Sequence, residues 1–428
     1  MRPHPRLNSI FLLAVLGIVI SGAITNTIHA QSLTDRIGAS QSRITEIEKE
    51  IAQYEGELIK TGKEKDTLNN ALKILEINKK RLESESSLTE TRIVNTNLVI
   101  LSLGVQIEDH DNTIGRRSQA LASSLRQLQA SLDDTWQEIV LSVNSLSETA
   151  DLAYTQERLQ ASLRLDMDRL ANARQKLDSN KQAEERAKSE LLALKTRLSD
   201  QKKILLENQR EKSAILVETK NKESNYKSLL ARKLAEKELV ERELRAFELQ
   251  LKSDLDFTKL PKPGSGVLSW PLSKIVVTQN FGNTEFSRSS LSPYNGAGHN
   301  GIDMGAPIGT PVLSARSGLV RTTGDTDTGC PGGSYGKWIL IDHNNGLSTL
   351  YAHLSLVRVS DGEQVSPHDV IGYSGNTGYS TGPHLHFTVY ATEGVQIRQL
   401  TKPGGTPSKC PPMPVSPLSG YLNPMLYL

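Results

Sequence analysis

Six of the nine histidines in this 428-residue chain lie between residues 299 and 386. That clustering directs attention to metal chemistry. In "GPHLHFTVY", residues 382–390, His384 and His386 stand on either side of one leucine. On a strand, residues i and i+2 project to the same face. His384, His386, Thr388 and Tyr390 then line one face, and Leu385, Phe387 and Val389 line the other, which reads as the core face of a half-buried strand. "HNGID" supplies His299 and Asp303. Their spacing would suit a helix face, but Gly298, Gly301 and Gly305 argue for a loop entering a strand. "YAH" adds His353 near the end of a strand, with Tyr351 on the same face. Together these offer two histidines and a carboxylate to a metal, with two imidazoles to spare. Three protein donors with an open fourth position is the pattern of catalytic zinc. Such a zinc acidifies a bound water and polarises a carbonyl. The chain has no H-E-x-x-H, so a helix-borne glutamate base is missing and a histidine must act as base or oxyanion stabiliser. One histidine of the 384/386 pair is expected to bind metal and the other to act on substrate. The competing reading is a polar strand face with two solvated histidines, since short patterns match often by chance.

The remaining histidines read more plainly. His343, at a hairpin turn, is expected to be structural, His368 to lie on a surface loop, and His110 to sit at a core position of a coiled coil. The glycines of "GNTGYSTGPH" lack the G-K-[ST] of a phosphate loop and are expected to make turns. Cys330 and Cys410 are the two cysteines. In an exported chain they are expected to form one disulfide, contributing about 4 kcal/mol. Metal ligation is the alternative, but neither belongs to a C-x-x-C pair.

The elements that must position these groups fall into two regions of opposite composition. There is no proline between Pro5 and Pro261 and no glycine between Gly115 and Gly264. Such a span has almost no helix breakers. Ile37, Ile44, Ile51 and Leu58 are spaced by seven, and Ile47, Leu68, Leu75 and Leu82 fall on the matching positions. A second series, Leu163, Leu170, Leu177, Leu191, Leu198 and Leu205, follows a disturbed stretch at 139–155. Sustained heptads predict a coiled coil over 31–256, as an antiparallel hairpin or a parallel dimer. "LPKPGSGV" marks a linker, taken as 257–266. Beyond it, "WILID", "NNG" and "LSTLYAHL" predict a hairpin with an Asn-Gly turn, and "TPVLSA" and "GLVRTT" two more strands. Residues 267–428 are expected to form a small, mainly antiparallel β domain. The proline-rich segment before the C-terminus is expected to wrap its surface, held by Cys410. The fold class is thus multidomain α and β, with long N-terminal coiled-coil helices followed by a small β domain.

Net charge is +2, which gives no case for a nucleic-acid partner. Arg2 and Arg6 precede the apolar run "SIFLLAVLGIVISGAI". Residues 1–30 are therefore expected to be a secretory signal peptide, with an uncleaved anchor as the alternative. Cleavage is expected after Ala30, although Ile28 is larger than the residue preferred there. Either way the rest of the chain is expected outside the cytoplasm, in periplasm, cell envelope or medium.

Residues 267–428 resemble the lysostaphin/LytM-type zinc peptidases that cut peptidoglycan cross-bridges. The resemblance is carried by "HNGIDMGAPIGTPVLSARSGLV", "YGKWILIDHNNGLSTLYAHLS", "VIGYSGNTGYSTGPHLHF" and "NPMLYL", in the family's order. It implies zinc ligation by His299, Asp303 and His386, and catalytic roles for His353 and His384. No position of that set is substituted. "NTEFSRSSLSPYNGAG" and "TGDTDTGCPGGS" look like longer loops that could shape substrate choice or cover the groove. The order of signal segment, coiled coil and this domain also resembles the EnvC-like activators of cell-wall amidases, some of which have lost zinc ligands. The expected function is an exported zinc metalloendopeptidase cutting peptide cross-links of peptidoglycan in wall remodelling or division. A membrane-bound division or regulatory protein is a further expected partner, through the coiled coil, which could also fold back over the groove. The alternative functions are a coiled-coil activator or scaffold that recruits an amidase without cutting, and a structural protein whose β domain only binds wall.

Overall fold

The computed structural model describes residues 10–61, 67–132, 146–250, 255–282, 298–332, 334–380, 382–400 and 407–428. Among these, four α-helices occupy the N-terminal region: α1 (Ile10–Thr61), α2 (Leu68–Leu132), α3 (Leu146–Thr219) and α4 (Glu223–Gln250). The expected disturbance at 139–155 falls partly outside the described residues. So do the first residues of the expected signal segment; from Ile10 onward the backbone is helical. Among the described residues no helix is long and apolar enough to cross a membrane.

Two compact units cut across the change in composition. One comprises Met1–Glu46 and Leu88–Arg197; the other comprises Ile47–Ser87 and Leu198–Leu428. In the first, Ser40 of α1 donates to the Thr91 carbonyl of α2 (3.3 Å), and Asn180 of α3 donates to Gln106 of α2 (3.3 Å). Leu163, Leu170 and Leu177 are half-buried there, as a helical seam requires.

The second unit joins a helical stub to the β domain. Ile47, Leu68, Leu75 and Leu82 are buried. Glu76 pairs with Lys212 (2.6 Å), while Leu82 clusters with Ile204, so α2 and α3 run antiparallel here. The same cluster takes in Ile308 and Tyr373 from the β domain. Buried Arg81 donates to the Ile308 carbonyl and pairs with Glu85. Asp200 of α3 accepts from Tyr373 (3.2 Å) and pairs with Arg358 (3.1 Å). Heptad leucines thus serve twice, within the helices and against the β domain.

The strands are β1 (Val277–Gln279), β2 (Ile302–Gly305), β3 (Pro311–Leu313), β4 (Gly318–Asp325), β5 (Lys337–Asp342), β6 (Leu347–Val357), β7 (Gln364–Val365), β8 (Val370–Ser374), β9 (His384–Ala391), β10 (Gln396–Arg398), β11 (Met413–Val415) and β12 (Tyr421–Leu422). The main sheet runs β1-β2-β9-β6-β5-β4-β7; β12 pairs with β9, and β8 bridges β3 and β6. Every pairing is antiparallel. The β5–β6 hairpin turns at the predicted Asn-Gly, where Gly346 has φ 85°.

One face of this sheet holds Ile302, Met304, Ile339, Ile341, Tyr351, Leu385, Phe387 and Val389. The expectation that β9 is half-buried is corrected. Thr388 and Tyr390, on its other face, have no solvent exposure. A second apolar cluster covers them, containing Trp338, Leu340, Leu350, Cys410, Met413 and Val415. The proline-rich segment therefore does more than wrap the surface. Its strand β11 pairs with β10 in a separate two-stranded sheet, and the Cys330–Cys410 disulfide fixes it there. Prolines are tolerated because that strand lies outside the main sheet.

Candidate metal centre

Strand register brings the donors together. β9 lies between β2 and β6, with Asp303 opposite His386 and Ala352 opposite His386 on the other side. His299 stands just before β2, tied to Gly282 by two backbone hydrogen bonds (2.8 and 2.9 Å). His299 Nε2, Asp303 Oδ1 and His386 Nδ1 converge: 3.1 Å between the imidazoles, 2.8 Å from Asp303 to His386 and 3.3 Å from Asp303 to His299. Two donors bonded at 2.0–2.1 Å to a tetrahedral zinc are about 3.3 Å apart. The three atoms therefore fit one metal ion, and they form the one such donor cluster among the described residues.

The other nitrogens complete the fit. His299 Nδ1 donates to the Asn280 carbonyl (3.1 Å) and His386 Nε2 to the Thr388 hydroxyl (2.9 Å). With these nitrogens so committed, each ring can turn a lone pair on its other nitrogen toward a metal, the outer support typical of metal-binding histidines. Burial would raise the Asp303 carboxyl, but charge on His299 and hydrogen bonds from His299 and His386 outweigh it and hold the group well below the usual carboxylate range. Burial pushes His386 down, toward the neutral form a metal requires.

His384 and His353 border this cluster without joining it. His384 Nε2 lies 3.7 Å from Asp303, and its Nδ1 donates to the Gly382 carbonyl (2.7 Å) beside the Ser380 hydroxyl. The His353 ring is 4.7 Å from that of His384 and 5.8 Å from that of His386. The expectation that Tyr351 shares its face is corrected. Tyr351 packs on Phe387 in the core, with its hydroxyl accepting from Ala315 N (2.9 Å). Simple alternation would send His353 to the core as well. Instead Ile339 pairs with Tyr351 and Lys337 with Leu354, so three steps on β6 match two on β5. This bulge, with His353 at φ 60°, turns the imidazole toward the cluster. Its backbone N–H donates to the Tyr335 carbonyl (2.8 Å), and Nδ1 donates to the Thr377 carbonyl (2.9 Å). Burial, then the neighbouring charges of His384 and His386, push His353 well down.

Several of these supports escaped the sequence reading. The Asn280, Thr377 and Gly382 carbonyls carry no signal in residue type. Thr388, two residues beyond His386 on the same strand face, could have been found. Tyr335 could not; its hydroxyl accepts from Asn300 (3.3 Å) beside His299, and burial pushes it up to about 12. His343 is structural: buried, pushed down by burial, and placed between the Ser317 carbonyl (3.0 Å) and the Thr349 hydroxyl (2.8 Å). His368 is exposed and His110 half-buried.

The model of peptidase family M23 matches residues 297–398. The DD-carboxypeptidase/endopeptidase Mpg of Neisseria meningitidis serogroup B is 46% identical over 89 residues, 21% of this chain and 19% of that protein. The peptidoglycan DD-endopeptidase ShyA of Vibrio cholerae serotype O1 is 44% identical over 91 residues, 21% of this chain and 20% of that protein. Among solved structures, the catalytic domain of the antimicrobial peptidase lysostaphin from Staphylococcus simulans covers 35% of this chain and 90% of its own, at 28% identity and a TM-score of 0.25. The chain thus spans only about a fifth of the length of these curated relatives.

Proposed function

With a peptidase family M23 domain of the LytM/lysostaphin type at residues 297–398 as the premise, we propose that this chain is a zinc-dependent endopeptidase that cuts the peptide part of peptidoglycan. The observation that carries the reading is the convergence of His299 Nε2, Asp303 Oδ1 and His386 Nδ1 beside two further anchored imidazoles. Those three atoms would hold zinc, which when bound supplies Lewis-acid polarisation of a carbonyl and a more acidic water. His353, with Nδ1–H committed to Thr377, presents Nε2 as a lone pair, and its burial keeps that nitrogen unprotonated at neutral pH. It can take the proton of an attacking water. His384 has its Nδ1–H committed to Gly382, so a proton taken up at its Nε2 can be handed onward or can steady developing negative charge.

The relative named as a peptidoglycan DD-endopeptidase supports the substrate class and, with it, action outside the cytoplasm. In this reading residues 1–30 export or anchor the chain, 31–256 form a coiled coil that recruits a membrane-bound partner, 257–266 link, and 267–428 cut. The test is to incubate the chain from residue 31 onward with purified peptidoglycan, with and without a chelator. Mass spectrometry should detect newly cleaved peptides that vanish with the chelator and return with zinc. Intact peptidoglycan under all conditions would leave the recruiting scaffold as the better account.

A further inference from the structure

The carbonyl that orients His353 belongs to a short loop after β8, in which Asn376, Thr377, Gly378 and Tyr379 are each tied. Thr377 Oγ1 accepts from Lys337 N (3.0 Å) and donates to the Leu354 carbonyl (2.8 Å). Gly378 N donates to Asp327 Oδ2 (2.8 Å), and Tyr379 N to the Ser334 carbonyl (2.9 Å). Gly378 and Gly336 pack so closely that a Cβ on Gly378 would meet Gly336 N at 2.2 Å. These ties come from the β domain. The tie on Asn376 comes from the helical stub: its Nδ2 donates to Glu211 Oε1 of α3 (3.2 Å), and its Oδ1 has no partner.

We propose that Glu211 is a positioning residue for His353, acting through Asn376 and the Thr377 carbonyl. The proposal rests on His353 working in the chemistry proposed above. α3 delivers the carboxylate rigidly, because the same helix is fixed to the same face by Asp200 on Arg358 and Tyr373 and by Glu207 on Lys337 (3.2 Å). Lys337 in turn gives its backbone N–H to Thr377. Burial pushes the Glu211 carboxyl up, so its place against Asn376 carries a desolvation cost that a solvated face would avoid. A carbonyl aimed at Nδ1 fixes both tautomer and ring orientation. Loosening it leaves the metal donors on β2 and β9 untouched.

The test uses the full chain with Glu211→Ala, Glu211→Gln and Asn376→Ala, and soluble cross-linked muropeptides as the probe. Glu211→Ala should lower kcat roughly ten- to a hundredfold with KM and zinc content unchanged. Glu211→Gln, whose amide oxygen still accepts, should recover most of the loss, and Glu211→Ala with Asn376→Ala should be no worse than either alone. Histidine nitrogen NMR supplies a readout free of activity: the His353 Nδ1–H should lose exchange protection in Glu211→Ala and regain it in Glu211→Gln. Wild-type kcat and protection in Glu211→Ala would overturn the proposal, as would loss of zinc along with turnover. A wild-type chain that cuts nothing would overturn the peptidase reading instead, and the NMR comparison would still decide this one.

Discussion

The two halves of the site are built by different means. The half on β2 and β9 is set by ladder register: Asp303 faces His386 because the strands pair, and His299 is tied to Gly282 at the entry. The half on β6 departs from the ladder. His353 reaches the site through a bulge with positive φ, and its ring is aimed by a carbonyl on a loop that the helical stub also grips. Regular pairing places donors that must stay within a few tenths of an ångström. Irregular backbone, which costs on the order of 1–3 kcal/mol, persists where surrounding contacts over-determine it. Metal binding and proton transfer should therefore fail independently.

The largest expected effect comes from breaking the register half. His386→Ala should reduce bound zinc to background and abolish cleavage together, measured by elemental analysis and peptide release. A smaller effect should follow from its outer support. Thr388→Val removes the acceptor for His386 Nε2–H and should weaken zinc affinity about 10–100-fold, read by competition with a chromophoric chelator. Replacing Cys330 and Cys410 by serine should lower unfolding free energy by about 2–5 kcal/mol in denaturant titration while leaving zinc affinity within severalfold, since the bridge clamps β11 over the second cluster and touches no donor.

The smallest effect tests a histidine outside both halves. Burial holds His343 below its ordinary value of about 6.5. The unfolded chain then binds a proton before the native one does, so stability rises with pH through that window. His343 should contribute its full share above about pH 6.5 and lose it as pH falls, by at most about 1.4 kcal/mol per unit. His343→Gln should flatten that part of the pH profile; an unchanged slope would deny the effect.

The contrast also explains what was legible. The strand that carries His384 and His386, the Asn-Gly hairpin and the buried or half-buried seven-spaced leucines are local patterns, and the structure has each of them. The bulge at His353 was not legible, because it follows from how β5 pairs with β6 and not from residue types near Tyr351. Nor was the docking of Arg81, Asp200 and Glu211 on the β domain. On a charged helix such residues look like a solvated face, and partners more than a hundred positions away decide otherwise. The buried second face of β9 escaped for the same reason: its cover, Met413 and Val415, lies in a segment whose prolines argue against sheet.

If metal donation and proton transfer belong to separate groups, His353→Ala parts one from the other. Zinc content and peptidoglycan cleavage should be measured on the same preparation of that variant and of the unaltered chain. Full zinc occupancy is expected, with cleavage reduced by roughly 10²–10⁴-fold, the usual loss of a positioned acid–base group. Zinc lost in proportion to activity would contradict that separation, because His353 would then belong to the donor set.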